Sequence, residues 1–178
     1  VNPLRKLARL ALQCAAKCSV LLYRREVYVR LVQWSHRVVG VRFDGKPRYI
    51  HLSAMLDPSG GLVIGDRAVI SADVTILTHD YALTAGLRAA GQAPETDVAV
   101  RSPVTIGRDC FIGARAIILP GSNLGNNVII GAGAVVRGTI PDDSIAVGVP
   151  ARVVGRASEW AVAKLASTPR HELYHDSR

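Results

Sequence analysis

The sequence predicts a mainly β chain folded as a parallel β-helix, with amphipathic helices in front and a short helix behind. Three observations carry this. From residue 64 a branched aliphatic residue recurs every six positions: Ile64, Ile70 and Ile76, then Ile106, Ile112, Ile118, Leu124, Ile130 and Val136. Glycine follows this leader in five of the nine hexads (Gly65, Gly107, Gly113, Gly125, Gly131). The fifth position is compact in eight: Ala68, Val74, Cys110, Ala116, Ser122, Val128, Ala134 and Ile140. A helix cannot place every sixth residue on one face. A short strand followed by a tight turn can, and stacked rungs bury the aliphatic column while Gly and Asn take the strained turn dihedrals.

Taken in order, residues 1–48 read as a basic amphipathic helical region. Leu4, Leu7, Ala11, Cys14, Cys18 and Leu21 recur at spacings of three and four and predict a packing face, with Arg5, Arg9, Gln13 and Lys17 on a polar one. Val27, Leu31, Trp34 and Val38 form a second such stripe, with Glu26 and Arg30 placed to pair. Gly40 and the Asp44-Gly45-Lys46-Pro47 cluster predict a stop and a turn. Residues 49–156 form the β-helix, opening on an irregular coil over 49–63. The repeat is interrupted by an inserted loop, 80–103, which has no six-fold pattern and starts just after Thr78-His79, with Asp80 in a slot that is normally compact and inward. Beyond Val136 the hexads fade into a last rung or two. Residues 157–178 supply a helix near 158–167 and a polar tail.

Composition narrows the classes. With 178 residues, 49% hydrophobic and 20% charged, the chain is too apolar to be disordered. Three cysteines make no disulfide framework and suit a reducing cytosol. No apolar run approaches the ~20 residues needed to span a bilayer, and Gln13 and Lys17 interrupt the Leu10–Leu22 stretch, which excludes a signal peptide. The net charge of +8 is uneven: residues 1–50 carry eleven Lys/Arg against two acids. This basic front either caps the open end of the prism or makes peripheral membrane contact through residues 1–40. Nucleic acid is not an expected partner, because no reading module accompanies the charge. The expected location is cytoplasmic, with the inner face of the membrane as the variant placing.

The stretches Val63–Tyr81, Val104–Ala114, Val128–Val136 and Ile145–Arg152 together resemble the hexapeptide-repeat acyltransferases, the left-handed β-helix family, in its sugar and polysaccharide O-acetyltransferase branch. The Thr-His-Asp-Tyr loop and the closing Gly-Val-Pro-Ala-Arg are the specific features. The resemblance implies a homotrimer with active sites between neighbouring prisms, acetyl-CoA as co-substrate and a sugar or glycan hydroxyl as acceptor. It implies His79 as the general base. It places the donor along Gly113, Ala114, Gly131 and Ala132, and the acceptor near Tyr49, His51, Asp80, Tyr81 and Phe111.

The residues supply their own case for this chemistry. Acyl transfer from a thioester to a hydroxyl needs a base, an oxyanion donor and exclusion of water. An imidazole titrates near working pH, and His79 sits where regular backbone gives way to the loop. Glu95, Asp97 or a backbone carbonyl could orient it. A backbone N–H near Gly113, Ala114 or Ala132 could meet the oxyanion. Arg137, Arg152 and Arg156 lie late in the prism, where CoA phosphates need cations. Cys14 and Cys18 read as packing residues, Cys110 as an inward structural one, and His171 and His175 carry no assignment. No metal is expected: a γ-carbonic-anhydrase-like zinc lyase needs three histidines, and the prism region offers only His51 and His79. A non-catalytic scaffold is the other alternative.

Overall fold

In the computed structural model, which describes residues 2–21, 25–92 and 94–173, the six-residue rungs wind into a three-sided parallel β-solenoid of about five turns. The first face stacks strands Arg42–Asp44, Leu62–Gly65, Val104–Ile106, Asn123–Leu124 and Thr139–Ile140. The second stacks Tyr49–Ile50, Val69–Ile70, Phe111–Ile112, Ile129–Ile130 and Ser144–Gly148, then an antiparallel return, Ala151–Arg156. The third stacks Met55–Leu56, Thr75–Ile76, Ile117–Ile118 and Val135–Val136. Register aligns the leaders: Phe43, Ile64, Ile106, Leu124 and Ile140 share one column, and Ile50, Ile70, Ile112, Ile130 and Ala146 another. These side chains are buried, and the eight compact fifth positions are buried between them.

The prism starts at Arg42, ahead of position 49, and its opening coil is regular. Phe43, Ile50 and Leu56 take leader positions there. Their spacing to Ile64 is seven, six and eight residues, which hides the coil from a search in sixes.

The glycines that follow the leaders do a different job from the expected one. None of Gly65, Gly107, Gly113, Gly125 and Gly131 holds a positive φ. Gly65, Gly107, Gly113 and Gly125 lie against the backbone of the next coil, so that a Cβ on Gly65 would stand 2.6 Å from the Gly107 carbonyl carbon, and one on Gly113 2.5 Å from the Ala132 nitrogen, whereas one on Gly131 would meet the Val147 side chain at 2.8 Å. The left-handed corners are held by other residues. Arg67, Asp73, Asp109, Arg115, Asn127 and Asp143 have φ between 54° and 60°. Several donate their N–H to the corner of a neighbouring coil, as Asp109 does to Asp66 O (2.9 Å) and Asn127 to Arg108 O (2.9 Å).

The described residues of the insertion carry regular structure. His79–Asp80 pairs antiparallel with Val100–Arg101, and between them residues 82–89 form a helix. Asp80 is exposed and outside the inward column; its Oδ1 accepts the Ala82 N–H (2.7 Å).

Two helices precede the prism, α1 (Pro3–Leu21) and α2 (Arg25–Val39). The cap is α2. Tyr28 Oη donates to Ile50 O (2.9 Å), Gln33 Nε2 donates to Gly45 O (3.0 Å), and Val32 is buried with Phe43 and Ile50 in the core. Its buried face runs through Tyr28, Val29, Val32, His36 and Val39, one step round from the expected stripe; Trp34 is 61% exposed. Glu26 and Arg30 do pair (3.7 Å). On α1 the expected packing face is reversed. Ala16 and Ser19 are buried, whereas Leu4, Leu7, Ala11, Cys14 and Cys18 of that face are exposed, so the two thiols are not packing residues; the side chain of Leu21 lies outside the described ones. Cys110 is buried as expected, and burial pushes its thiol up to about 11. Residues Ala157–Ser167 form the last α-helix, His171 lies in the 3-10 turn after it, and His175 is outside the described residues.

His36 is fully buried, and neither ring nitrogen has a hydrogen-bond partner among the described residues. Burial, reinforced by the Arg9 charge, pushes its imidazole down to about 4. The unfolded chain therefore takes up a proton near pH ~6.5 that the folded chain refuses. Stability is complete above that pH and falls as the pH drops towards 4, by about 3 kcal/mol in total. Urea unfolding at stepped pH should show this decline, and His36→Leu should flatten it. Stacking makes a second prediction. Gly65→Ala should cost about 1–3 kcal/mol, while Gly155→Ala, with open space around its Cβ, should stay within about 0.5 kcal/mol; thermal melts compare the two.

Candidate active site

The coil stacking brings Asp57 beneath Thr78 and His79, twenty-one and twenty-two residues later. Asp57-Pro58-Ser59-Gly60 is a turn in which Asp57 Oδ1 accepts the Ser59 N–H (2.9 Å). Gly60 lies so tightly on the Thr78 carbonyl that no Cβ would fit there. Thr78 is fully buried, and its hydroxyl bridges the two coils: it donates to Asp57 Oδ2 (2.7 Å) and accepts the Gly60 N–H (2.8 Å). The Thr78 N–H reaches the same carboxylate oxygen (2.9 Å).

His79 completes the cluster. Its Nδ1 is 2.6 Å from Asp57 Oδ2 and 2.9 Å from Ser59 Oγ. A carboxylate only accepts, so Nδ1 carries the proton and Nε2 is left with the lone pair. Burial by itself would raise the Asp57 pKa, but the hydrogen bonds from Thr78 and Ser59 outweigh it and hold the carboxyl far below the usual carboxylate range. Asp57 is thus a fixed negative charge at any working pH. Its side chain is 13% exposed, against 35% for His79. The Tyr81 ring meets the imidazole edge-on at 5.5 Å and is itself half exposed.

Neither acidic residue named from the loop orients His79. Asp97 pairs with Arg88 (3.0 Å) and Glu95 is exposed. The orienting groups, Asp57, Ser59 and Thr78, were not among the sequence candidates; the Asp-Pro-Ser-Gly turn signal was visible but fell in the coil read as irregular. Tyr49 and Phe111 lie on the second face, in the outward column Tyr49–Val69–Phe111–Ile129–Ile145. Tyr49 stacks on Tyr28 (5.5 Å), His51 Nδ1 is 2.7 Å from Ser53 Oγ, and Phe111 is 44% exposed. Within one chain these three belong to a different face from His79, and Asp80 is occupied in capping the helix of the insertion.

Gly113-Ala114 and Gly131-Ala132 stack on each other at the corner between the second and third faces. The N–H groups of Gly113 and Gly131 donate to Ile130 O (2.8 Å) and Ala146 O (2.9 Å) of the next coil. Arg137 and Arg152 are exposed, while Arg156 is held by Asp143 (2.9 Å) and Glu159 (3.5 Å).

The structure is a three-sided parallel prism of hexads with a partly buried carboxylate–imidazole pair at a broken corner. Residues 103–137 match the family described as the hexapeptide repeat of succinyl-transferase. The chain is 32% identical over 110 residues to the galactoside O-acetyltransferase of Escherichia coli K12, covering 62% of this chain and 51% of that protein. It spans about half the length of that relative. Among solved structures it resembles a maltose O-acetyltransferase from Clostridium difficile 630, at 25% identity with a TM-score of 0.54 over 87% of this chain and 89% of the other. It shares the fold of a galactoside acetyltransferase in complex with coenzyme A, with a TM-score of 0.59 at 21% identity over 90% and 84% of the two chains. The chain is similar to hexapeptide-repeat acetyltransferases in both sequence and fold.

The bridging hydroxyl gives a direct test. Thr78→Val keeps the volume but leaves the Gly60 N–H unpaired and strips a donor from Asp57; it should cost about 1–3 kcal/mol in chemical denaturation.

Proposed function

We propose that this chain transfers an acetyl group from acetyl-CoA to a hydroxyl of a sugar or glycan, with His79 as general base and Asp57 as its positioning residue. The observation that carries the reading is the 2.6 Å contact between His79 Nδ1 and a half-buried Asp57 carboxylate. It fixes the tautomer and leaves Nε2 basic. Nε2 takes the acceptor's hydroxyl proton as the oxygen attacks the thioester carbonyl. The tetrahedral adduct then collapses, the C–S bond breaks, and the imidazolium returns its proton to the departing CoA sulfur. Asp57 stays ionised throughout and stabilises the imidazolium. No covalent acyl-enzyme is needed.

The acceptor class follows the sugar acetyltransferases named above, and the donor follows the neighbour that holds coenzyme A. Tyr49, His51 and Phe111 sit on another face from His79, and so does the Gly113–Ala132 corner. A homotrimer whose neighbouring prism supplies these surfaces would reunite base, donor and acceptor in one groove, with Arg137 or Arg152 meeting CoA phosphate.

Acetyl-CoA consumption with sugar and glycan acceptors tests the reading. His79→Ala should lower kcat by ~10³-fold or more while CoA affinity changes by less than about threefold. Asp57→Asn should cost ~10²–10⁴-fold in kcat with little effect on KM. A His79→Ala variant that keeps most of its turnover, or a wild-type protein that binds no acetyl-CoA, would overturn it.

A further inference from the structure

We propose that α1 is a lipid-surface helix, which seats the prism on an anionic bilayer while α2 alone caps the solenoid. The two helices have separate roles in the structure. Among the described residues, Tyr28, Val32 and Gln33 of α2 close the first coil. α1 packs along α2 and turns its buried side, Ala16 and Ser19, toward it. At 100° per residue, the direction opposite that side is occupied by Leu7, Leu10, Ala11, Cys14 and Cys18, with Leu4 at the margin. Leu4, Leu7 and Leu10 are 73%, 63% and 58% exposed. An apolar stripe that points straight away from its own fold has its partner elsewhere.

Charge selects that partner. Lys6 and Lys17 fall together at one border of the stripe, and α1 has no acidic residue to oppose them; Arg5 and Arg9 lie on the side of Ala16. A second copy docking on this face would bring like charges together, whereas an anionic headgroup layer is complementary to it. The helix is not built to cross a bilayer: no helix of the described residues is long and apolar enough. It is built to lie in the interface, with leucines in the acyl boundary and lysines at the headgroups.

Co-sedimentation of the full chain with vesicles is the test. The protein should pellet with phosphatidylcholine vesicles containing about 30% phosphatidylglycerol and stay in solution with phosphatidylcholine alone. Binding should weaken severalfold or more between about 0.1 and 0.5 M salt. The double variant Leu7→Glu/Leu10→Glu should lower the partition coefficient by at least about tenfold, and Lys6→Glu/Lys17→Glu should lower it on anionic vesicles as well, both with an unchanged circular dichroism spectrum. No pelleting of the wild type, or pelleting indifferent to the leucine variant, overturns the proposal. So does a lipid-free protein whose oligomer falls apart on Leu7→Glu/Leu10→Glu, because the face then belongs to a second copy.

Discussion

The close approach of one coil's backbone to the next governs this molecule. Parallel strands stack about 4.8 Å apart, and along the second face this repeats from Tyr49–Ile50 to Ser144–Gly148 without a break. The spacing leaves no room for a Cβ at Gly65, Gly107, Gly113 and Gly125, where it would enter the neighbouring coil. The same spacing makes the corners tolerable. A non-glycine residue in the left-handed region costs about 1 kcal/mol or more, yet Arg67, Asp109 and Asn127 hold that conformation. Each offsets the cost with an N–H donated to the corner of a neighbouring coil, and their side chains lie at the surface or partly so. Crowding decides the glycine positions; hydrogen bonding decides the corners.

Stacking also builds the site. Residues one coil apart in sequence become neighbours in space, so Asp57 reaches Thr78 and His79 without a long-range loop. The insertion leaves the prism at that corner, so the ladder does not continue over it. Preorganisation comes from the coil side. The Asp57 carboxylate is held by Ser59 and Thr78 before any ligand arrives, and Gly60 allows the turn to press against the Thr78 carbonyl. The loop can then vary without disturbing the imidazole's partner. A charge fixed by hydrogen bonds and partly shielded from water orients a base far better than a mobile acid on the loop would.

The prism was legible because its period is physical. A six-residue unit with an aliphatic leader and a compact fifth position has one stacked solution, and Ile70, Ile112 and Ile130 fell into a single column. His79 was legible from its place at the break. Asp57 was not, because two of the spacings in its coil depart from six and a periodic search stops where the period does. Its local signal was an Asp-Pro-Ser-Gly turn, which states that the chain reverses but not what the carboxylate will meet. That depends on which coil lies above, a fact of register and not of local sequence. The faces of Tyr49, His51 and Phe111 follow from the same register.

The α1 stripe shows the opposite limit. Its three-four spacing correctly announced a helix with an apolar side, but periodicity gives the side and not its destination. Burial within the chain was the default assumption, and the small residues Ala16 and Ser19 took that place instead. Small side chains let α1 lie close to α2, which is already committed to the first coil through Tyr28 and Gln33. The leucines were then displaced to the outer side by geometry. A helix that needed its leucines for the core would have placed them where Ala16 stands. Their exposure beside Lys6 and Lys17 therefore reflects a demand from outside the prism, and apolar contact bordered by positive charge is what an anionic lipid surface requires of a helix lying upon it.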